Sequence, residues 1–326
     1  MSATMQAVVA SADGAVVDSV PVPSPGPGQV LVQVKAAGLN RVDLAMSHGG
    51  AHGSSGGAGT ICGLELAGDV VALGDGVTQW SIGDRVMGSG AAASAELAVA
   101  YGAMLSPIPD SISYEQAATL PVGLQTMHNA IATVGGLKTG QSVLIQGATS
   151  GMGLIGLQIA RELGASPVIG TARTQDRLDQ LPDAHDYLLV PTRDESWVQQ
   201  VAEATGAGAD LVIDLVAGPL LNATVQATRI QGRIVNVGRV GGESPSIDLD
   251  QHSMRQIQYF GVTFRTRTPQ EIADIVAAAR TALLPAVAAE RITMPIAGVR
   301  PIAEARQALQ DMADGNGIGK YVLSIG

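Results

Sequence analysis

The sequence predicts an α/β protein in which a doubly wound domain is inserted in a β-rich domain made from both ends of the chain. Three observations predict this. From Gly140 to Gly261, short apolar β-branched runs alternate with helix-like stretches, which implies a parallel sheet covered on both faces. The first third is also β-rich, but turn residues rather than helices separate its runs. After Thr268 two helical segments return, and a last strand, "KYVLSI", closes the chain. The boundaries fall at residues 1–121 and 264–326 for the outer domain and 122–263 for the inner one.

In the outer domain, "QVLVQVKAAG" (Gln29 to Gly38) turns Val30, Val32 and Val34 to one face. "ELAGDVVALG" (Glu65 to Gly74), "DRVMG" and "SAELAVAY" are further short strands, and "PVPSPGPGQ" (Pro21 to Gln29) is a turn-rich connector. "HGGAHGSSGGAG" (His48 to Gly59) is too glycine-rich for a stable element and reads as a mobile surface loop. The inner strands are "SVLIQ", "PVIG", "YLLV", "LVIDL", "RIVNV" and "YFGVTF". Helical stretches follow several of them, at Gly153 to Leu163, Gln175 to Gln180, Glu195 to Ala204 and Pro219 to Thr228. The returning helices are Pro269 to Ala282 and Ile302 to Ala313.

The 326 residues suffice for two domains, and with 46% hydrophobic and 15% charged residues a sizeable core can be buried. Aromatics are 3%, so aliphatic residues must fill it. The net charge is −10 and no Lys/Arg cluster appears, which argues against nucleic acid as a partner. The apolar stretch from Ile275 to Ala289 is broken by Arg280 and Pro285 too soon to span a bilayer. "MSATMQAVVA" lacks the basic and apolar regions of a signal peptide, so a cytoplasmic location is expected. Cys62 is the single cysteine, which rules out an intrachain disulfide and a four-cysteine zinc lobe.

Gly151-Met152-Gly153-Leu154-Ile155-Gly156 spells G-x-G-x-x-G after a strand and at the opening of a helix. A tight turn needs a residue that tolerates positive φ. A pyrophosphate needs backbone approach with no Cβ in the way, and the helix start offers it N–H groups and partial positive charge. Gly156 is expected to let the helix lie close on the sheet. The bland alternative is a strand-to-helix turn that holds nothing. A Walker A loop is excluded because no Gly-Lys-Ser/Thr follows, and a hydrolase elbow around Ser150 fails because Ala148 and Met152 replace its glycines.

NAD sites place an acid about 20 residues after the glycines, on the ribose hydroxyls. Here the strand end reads "IGTARTQDRL": no acid stands there, and Thr171, Arg173, Thr174 and Arg177 do. Two guanidiniums suit a 2′-phosphate. The expected cofactor is therefore NADPH, bound through Gly151, Met152, Gly153, Thr171, Arg173 and Arg177. Asp176 lies beyond the strand end, and solvated surface arginines are the competing explanation.

With that turn placed, "AAGLNRVDLAMSHG", "CGLELAGDVVALGDGVTQWSIGDRVMG", "IPDSISYEQAATLP", "GADLVIDLVAG", "QGRIVNVG" and "GKYVLSI" resemble, in unbroken order, the medium-chain dehydrogenase/reductase superfamily, and within it the zinc-free quinone oxidoreductase group. The resemblance implies a Rossmann domain inserted in a GroES-like catalytic domain. It also implies hydride transfer to a quinone or an α,β-unsaturated carbonyl, and a homodimer. Zinc enzymes of the superfamily carry a Cys where Asn40 stands and a His where Leu64 stands, and the third metal position falls near Pro121 and Val122, which offer no donor side chain. No metal is expected. His48 and His52 are four apart, but in a glycine-rich loop that spacing means little. By the same resemblance Asn40 is the catalytic-cleft contact at the nicotinamide end, and Thr126 lies near the carboxamide. Val216, Gly238 and Phe264 lie beneath or beside the ring, and Asp43 plays a structural hydrogen-bonding role. Val190-Pro191 stands where the family often has a Tyr by the adenosine phosphate, with Tyr187 upstream. The alternatives are a stand-alone enoyl reductase acting on thioesters and a non-catalytic NADPH-binding protein.

Overall fold

Strands from the first third of the chain and from its C-terminal end share one sheet, and the physical reason is burial. Val30, Val32 and Val34 alternate inward along Gln29–Gly38, and that strand needs partners on both edges. Glu65–Leu73 pairs with it on one edge. The C-terminal strand Lys320–Ser324 and Leu97–Tyr101 pair with successive parts of the other. The computed structural model describes residues 3–52, 55–194, 196–242, 246–315 and 317–326. The chain divides into two compact units, residues 1–125 with 264–326, and residues 126–263.

In the first unit a seven-stranded sheet follows the order Ile296–Pro301, Lys320–Ser324, Gln29–Gly38, Glu65–Leu73, Arg85–Ser89, Leu105–Pro107, with Leu97–Tyr101 also on Gln29–Gly38. Its core gathers Val30, Val32, Leu66, Val86 and Leu105 with Ala308 and Leu323 from the other end of the chain. Two sequence expectations differ here. The glycine-rich segment holds a short antiparallel pairing, Ala51–His52 with Ser55–Gly56, where no element was expected; residues 53–54 and the side chain of His52 lie outside the described residues. The helix expected to end at Ala282 runs from Pro269 to Ala288, through Pro285. Pro285 removes one backbone bond, but Leu283, Ala286 and Val287 stay buried and keep the last turn packed.

In the second unit six parallel strands stand in the order Leu188–Pro191, Val168–Ala172, Val143–Gln146, Ala209–Asp214, Thr228–Asn236, Gln258–Gly261. Val143–Gln146 and Val168–Ala172 are buried along their whole length, as strands with helices on both faces must be. From Val143–Gln146 the chain winds first to one side and then to the other. The order therefore reverses between Val143–Gln146 and Ala209–Asp214, and the crevice beyond their carboxyl ends is where doubly wound sheets take ligands. Among the described residues no helix is long and apolar enough to cross a membrane.

Candidate functional site

The glycine turn sits at that crevice. Gly151–Glu162 is a helix whose N-cap is Ser150, with Oγ accepting from the N–H of Gly153 at 3.1 Å. The N–H groups of Gly151 and Met152 have no acceptor among the described residues. The residue with positive φ is Gly147, at +72°, outside the G-x-G-x-x-G spelling. Sequence reasoning missed it, although "QGATSG" carries the turn chemistry. Gly153 is required by close approach: a Cβ there would overlap the Gly147 carbonyl oxygen and lie 2.6 Å from Ala148 Cα. At Gly156 the nearest obstacle would be the Met127 methyl, with Ile145 of the strand at 3.5 Å, so the helix lies close on the sheet with a flexible side chain also at the contact.

Other expected residues gather around the same strand ends. Thr171 is buried, and its carbonyl accepts from the N–H of Ala148 at 2.8 Å, tying the second strand to the turn. Asp214 ends its strand fully buried; its Oδ1 accepts from the N–H groups of Val216 at 2.9 Å and Ala217 at 2.7 Å. Burial holds the Asp214 carboxyl above its usual range, against those bonds. The loop it shapes puts Val216 beside Gly147, where a Cβ would meet Val216 Cγ2 at 3.4 Å. Gly238 lies close by: its N–H reaches the Asp214 carbonyl, and a Cβ on it would be 2.6 Å from the Leu215 carbonyl oxygen. Thr126 is buried in the helix Pro121–His128.

Arg173 is exposed just beyond Val168–Ala172, and Arg177 is half-buried in the short helix Gln175–Leu178. A third guanidinium went unnoticed in the sequence. Ala172 pairs with Pro191, and the N–H of Thr192 donates to the Ala172 carbonyl at 2.8 Å, so Arg193 follows the end of the strand next to the one that Arg173 follows. Strands about 4.8 Å apart bring residues that follow them within reach of one ligand. None of the three makes a side-chain hydrogen bond or ion pair among the described residues. The signal was the arginine after "VPT", legible only once the two strands were known to be neighbours. Tyr187 packs instead against Arg161, whose guanidinium lies 5.5 Å from its ring centroid.

The first unit carries a separate polar cluster. Asn40, Glu65 and Lys320 are buried, at 8%, 0% and 6% exposure. Asn40 Nδ2 donates to Glu65 Oε1 at 2.9 Å, and Lys320 Nζ donates to Asn40 Oδ1 at 3.0 Å. Lys320 and Glu65 also form a direct ion pair, and the N–H of Val122 donates to Glu65 Oε2 at 3.0 Å. Asn40 caps the helix Arg41–Ser47, where its N–H donates to Asp43 Oδ2 at 2.7 Å. Burial pushes the Asp43 carboxyl up to about 7, opposed by that bond and reinforced by the Glu65 charge. Asp43 therefore accepts a hydrogen bond from the N-cap of its own helix. Leu64 offers no metal donor, His48 lies at the end of the helix with Nδ1 3.0 Å from the Leu44 carbonyl, and the described residues contain no group of three or more His, Cys, Asp or Glu able to hold a metal. Phe264 is half-buried where the chain re-enters this unit, its carbonyl accepting from the N–H of Arg267.

Comparison with known proteins agrees with this architecture. The family described as an alcohol dehydrogenase GroES-like domain matches residues 26–110, and the one described as a zinc-binding dehydrogenase matches residues 151–280. A probable oxidoreductase from Mycobacterium abscessus is 30% identical with a TM-score of 0.83, over 99% of this chain and 100% of that one. A mycobacterial quinone oxidoreductase is 27% identical with a TM-score of 0.85, over 98% and 99%. Spectinabilin polyketide synthase system protein NorB of Streptomyces orinoci is 30% identical over 97% of this chain, which spans 14% of that protein's length. The chain therefore belongs to the medium-chain dehydrogenase/reductase superfamily of oxidoreductases, whose members bind a nicotinamide cofactor.

Proposed function

We propose that the protein is an NADPH-dependent, zinc-independent reductase of quinones or of C=C bonds conjugated to a carbonyl. The observation that carries the cofactor choice is the acid-free strand end at Ala172, followed by Arg173 and Arg177 and neighboured by the strand that Arg193 follows, none of these guanidiniums having a side-chain partner among the described residues. Arg173, Arg177 and Arg193 would hold the 2′-phosphate. The unpaired N–H groups of Gly151 and Met152 would hold the pyrophosphate, and Val216 and Gly238 would line the nicotinamide end. When bound, the reduced nicotinamide supplies the hydride.

The metal positions support zinc independence. Leu64 has no donor atom, and the Asn40 carboxamide is engaged at both ends. A zinc site needs thiolate, imidazole or carboxylate ligands, and this donor set does not fit one. Acceptors whose product charge spreads over a conjugated system need little Lewis-acid help. The chain's part is then to position the acceptor and to stabilise a developing oxyanion, for which Asn40 is the candidate contact. The test is NADPH oxidation on adding 1,4-benzoquinone to purified protein, with elemental analysis for zinc. No turnover with any acceptor, or one tightly bound zinc per chain, overturns the reading.

A second reading is favoured by the likeness to a polyketide synthase over nearly the whole chain: reduction of an enoyl thioester. Turnover of crotonyl-CoA but not of benzoquinone selects it. We also propose that the protein pairs with a second copy of itself through the strand Gln258–Gly261. All its residues are exposed, Tyr259 and Phe260 among them, and among the described residues no further strand pairs with its outer edge.

A further inference from the structure

Asn40 is held by charge, not merely by shape. A side-chain amide has two N–H groups and two lone pairs on its oxygen. One N–H goes to Glu65, and the oxygen accepts from Lys320, so one N–H remains. The opposite amide orientation would set the oxygen against the Glu65 carboxylate and the amide hydrogens against the Lys320 ammonium. Both contacts would be repulsive, so the ion pair dictates which atom faces which way. An ammonium on the carbonyl oxygen also draws electron density from the amide nitrogen, which makes the remaining N–H a stronger donor. Glu65 is itself fixed by the N–H of Val122, and Lys320 by its place at the start of a strand, where its own N–H donates to the Pro295 carbonyl at 2.9 Å. A buried ion pair adds little to stability compared with apolar residues of the same shape, so its presence calls for another use.

We propose that Lys320 is a positioning residue: paired with Glu65, its ammonium orients and polarises the Asn40 carboxamide so that the remaining Nδ2–H meets the acceptor oxygen on which negative charge develops. The inference rests on the reading of Asn40 as the contact to the acceptor. Lys320 itself touches neither substrate nor cofactor in this account. It acts through Asn40, so its effect belongs in kcat and vanishes when Asn40 is removed.

The experiment is a double-mutant cycle on the full chain with NADPH and 1,4-benzoquinone, using Lys320→Met, Asn40→Ala and the two combined. Melting temperature and NADPH affinity are measured alongside. Lys320→Met should lower kcat about tenfold, the worth of one charge-assisted hydrogen bond, and leave the NADPH Kd within about twofold. In the Asn40→Ala background the same substitution should change kcat less than about twofold. If Lys320→Met leaves Glu65 uncompensated and does not fold, Glu65→Gln with Lys320→Met removes both charges and takes its place in the cycle. Full kcat in the folded Lys320 variant, or losses that add in the combined variant, overturn the inference. Full kcat in Asn40→Ala removes Asn40 from the site and this inference with it. A loss in Asn40→Ala without one in the Lys320 variant sinks this inference alone and leaves the proposed function standing.

Discussion

A methyl group on Gly153 would overlap the carbonyl oxygen of Gly147, which makes the first turn of the helix and the end of the first strand a single packed object. Gly153→Ala must push the turn apart, because backbone cannot step aside as a side chain can. Overpacking of this kind costs about 1–3 kcal/mol, seen as a lower melting temperature, and should weaken NADPH binding with it. Gly156→Ala meets the end of Met127, which can rotate, and should cost less in both. Calorimetry and fluorescence titration of the two variants check this. Equal losses would mean that the turn tolerates displacement.

Arg173→Ala, Arg177→Ala and Arg193→Ala should each raise KM for NADPH and leave KM for NADH nearly unchanged. A charge-assisted bond is worth about 1.5–3 kcal/mol, so each loss should be roughly tenfold or more. Binding of 2′,5′-ADP against 5′-ADP reads the same contact without turnover. Parallel effects on both nucleotides in all three variants would return these arginines to the solvated surface.

Asp43 makes stability depend on pH. Its folded carboxyl titrates at about 7 rather than at the ordinary 3.8, chiefly through burial. Between those values the folded state keeps a proton that the unfolded chain releases. The stability it contributes is present at low pH and lost as pH rises through about 7, with a slope of at most about 1.4 kcal/mol per pH unit. Asp43→Asn cannot titrate, and its melting temperature should fall less than that of the wild type between about pH 5 and pH 8. Identical slopes would place the titration elsewhere.

Phe260→Lys puts a charge on the exposed edge Gln258–Gly261 and should turn a dimer into a monomer by light scattering, with the melting profile of the isolated chain intact. A wild type that is already monomeric at micromolar concentration, or a variant that still pairs, removes this edge from the interface.

The inner domain was legible because its signals are local. Apolar β-branched runs of strand length, several of them followed by a helical stretch, allow one kind of sheet, and each of its six strands overlaps one of those runs, although the helix Leu249–Arg255 before the last strand was not expected. Less was legible where backbone geometry overrides composition. Gly147 lies outside the spelled motif, yet it is the residue with positive φ. Pro285 reads as a helix stop, but the helix passes through it because its neighbours are buried. His48 to Gly59 reads as structureless, yet it contains a short paired segment.

By itself the sequence determined the alternation of strands and helices, the glycine turn and the acid-free strand end, because each depends on residues close together in the chain. The tertiary structure alone decided that Arg193 follows the strand next to the one Arg173 follows, and that Asn40, Glu65 and Lys320 meet, with Asn40 and Lys320 lying 280 residues apart. Strand order and the closing of the last strand onto Gln29–Gly38 set those meetings. No periodicity encodes them, because the energy that brings distant strands together comes from burying apolar faces and is blind to which polar groups arrive with them.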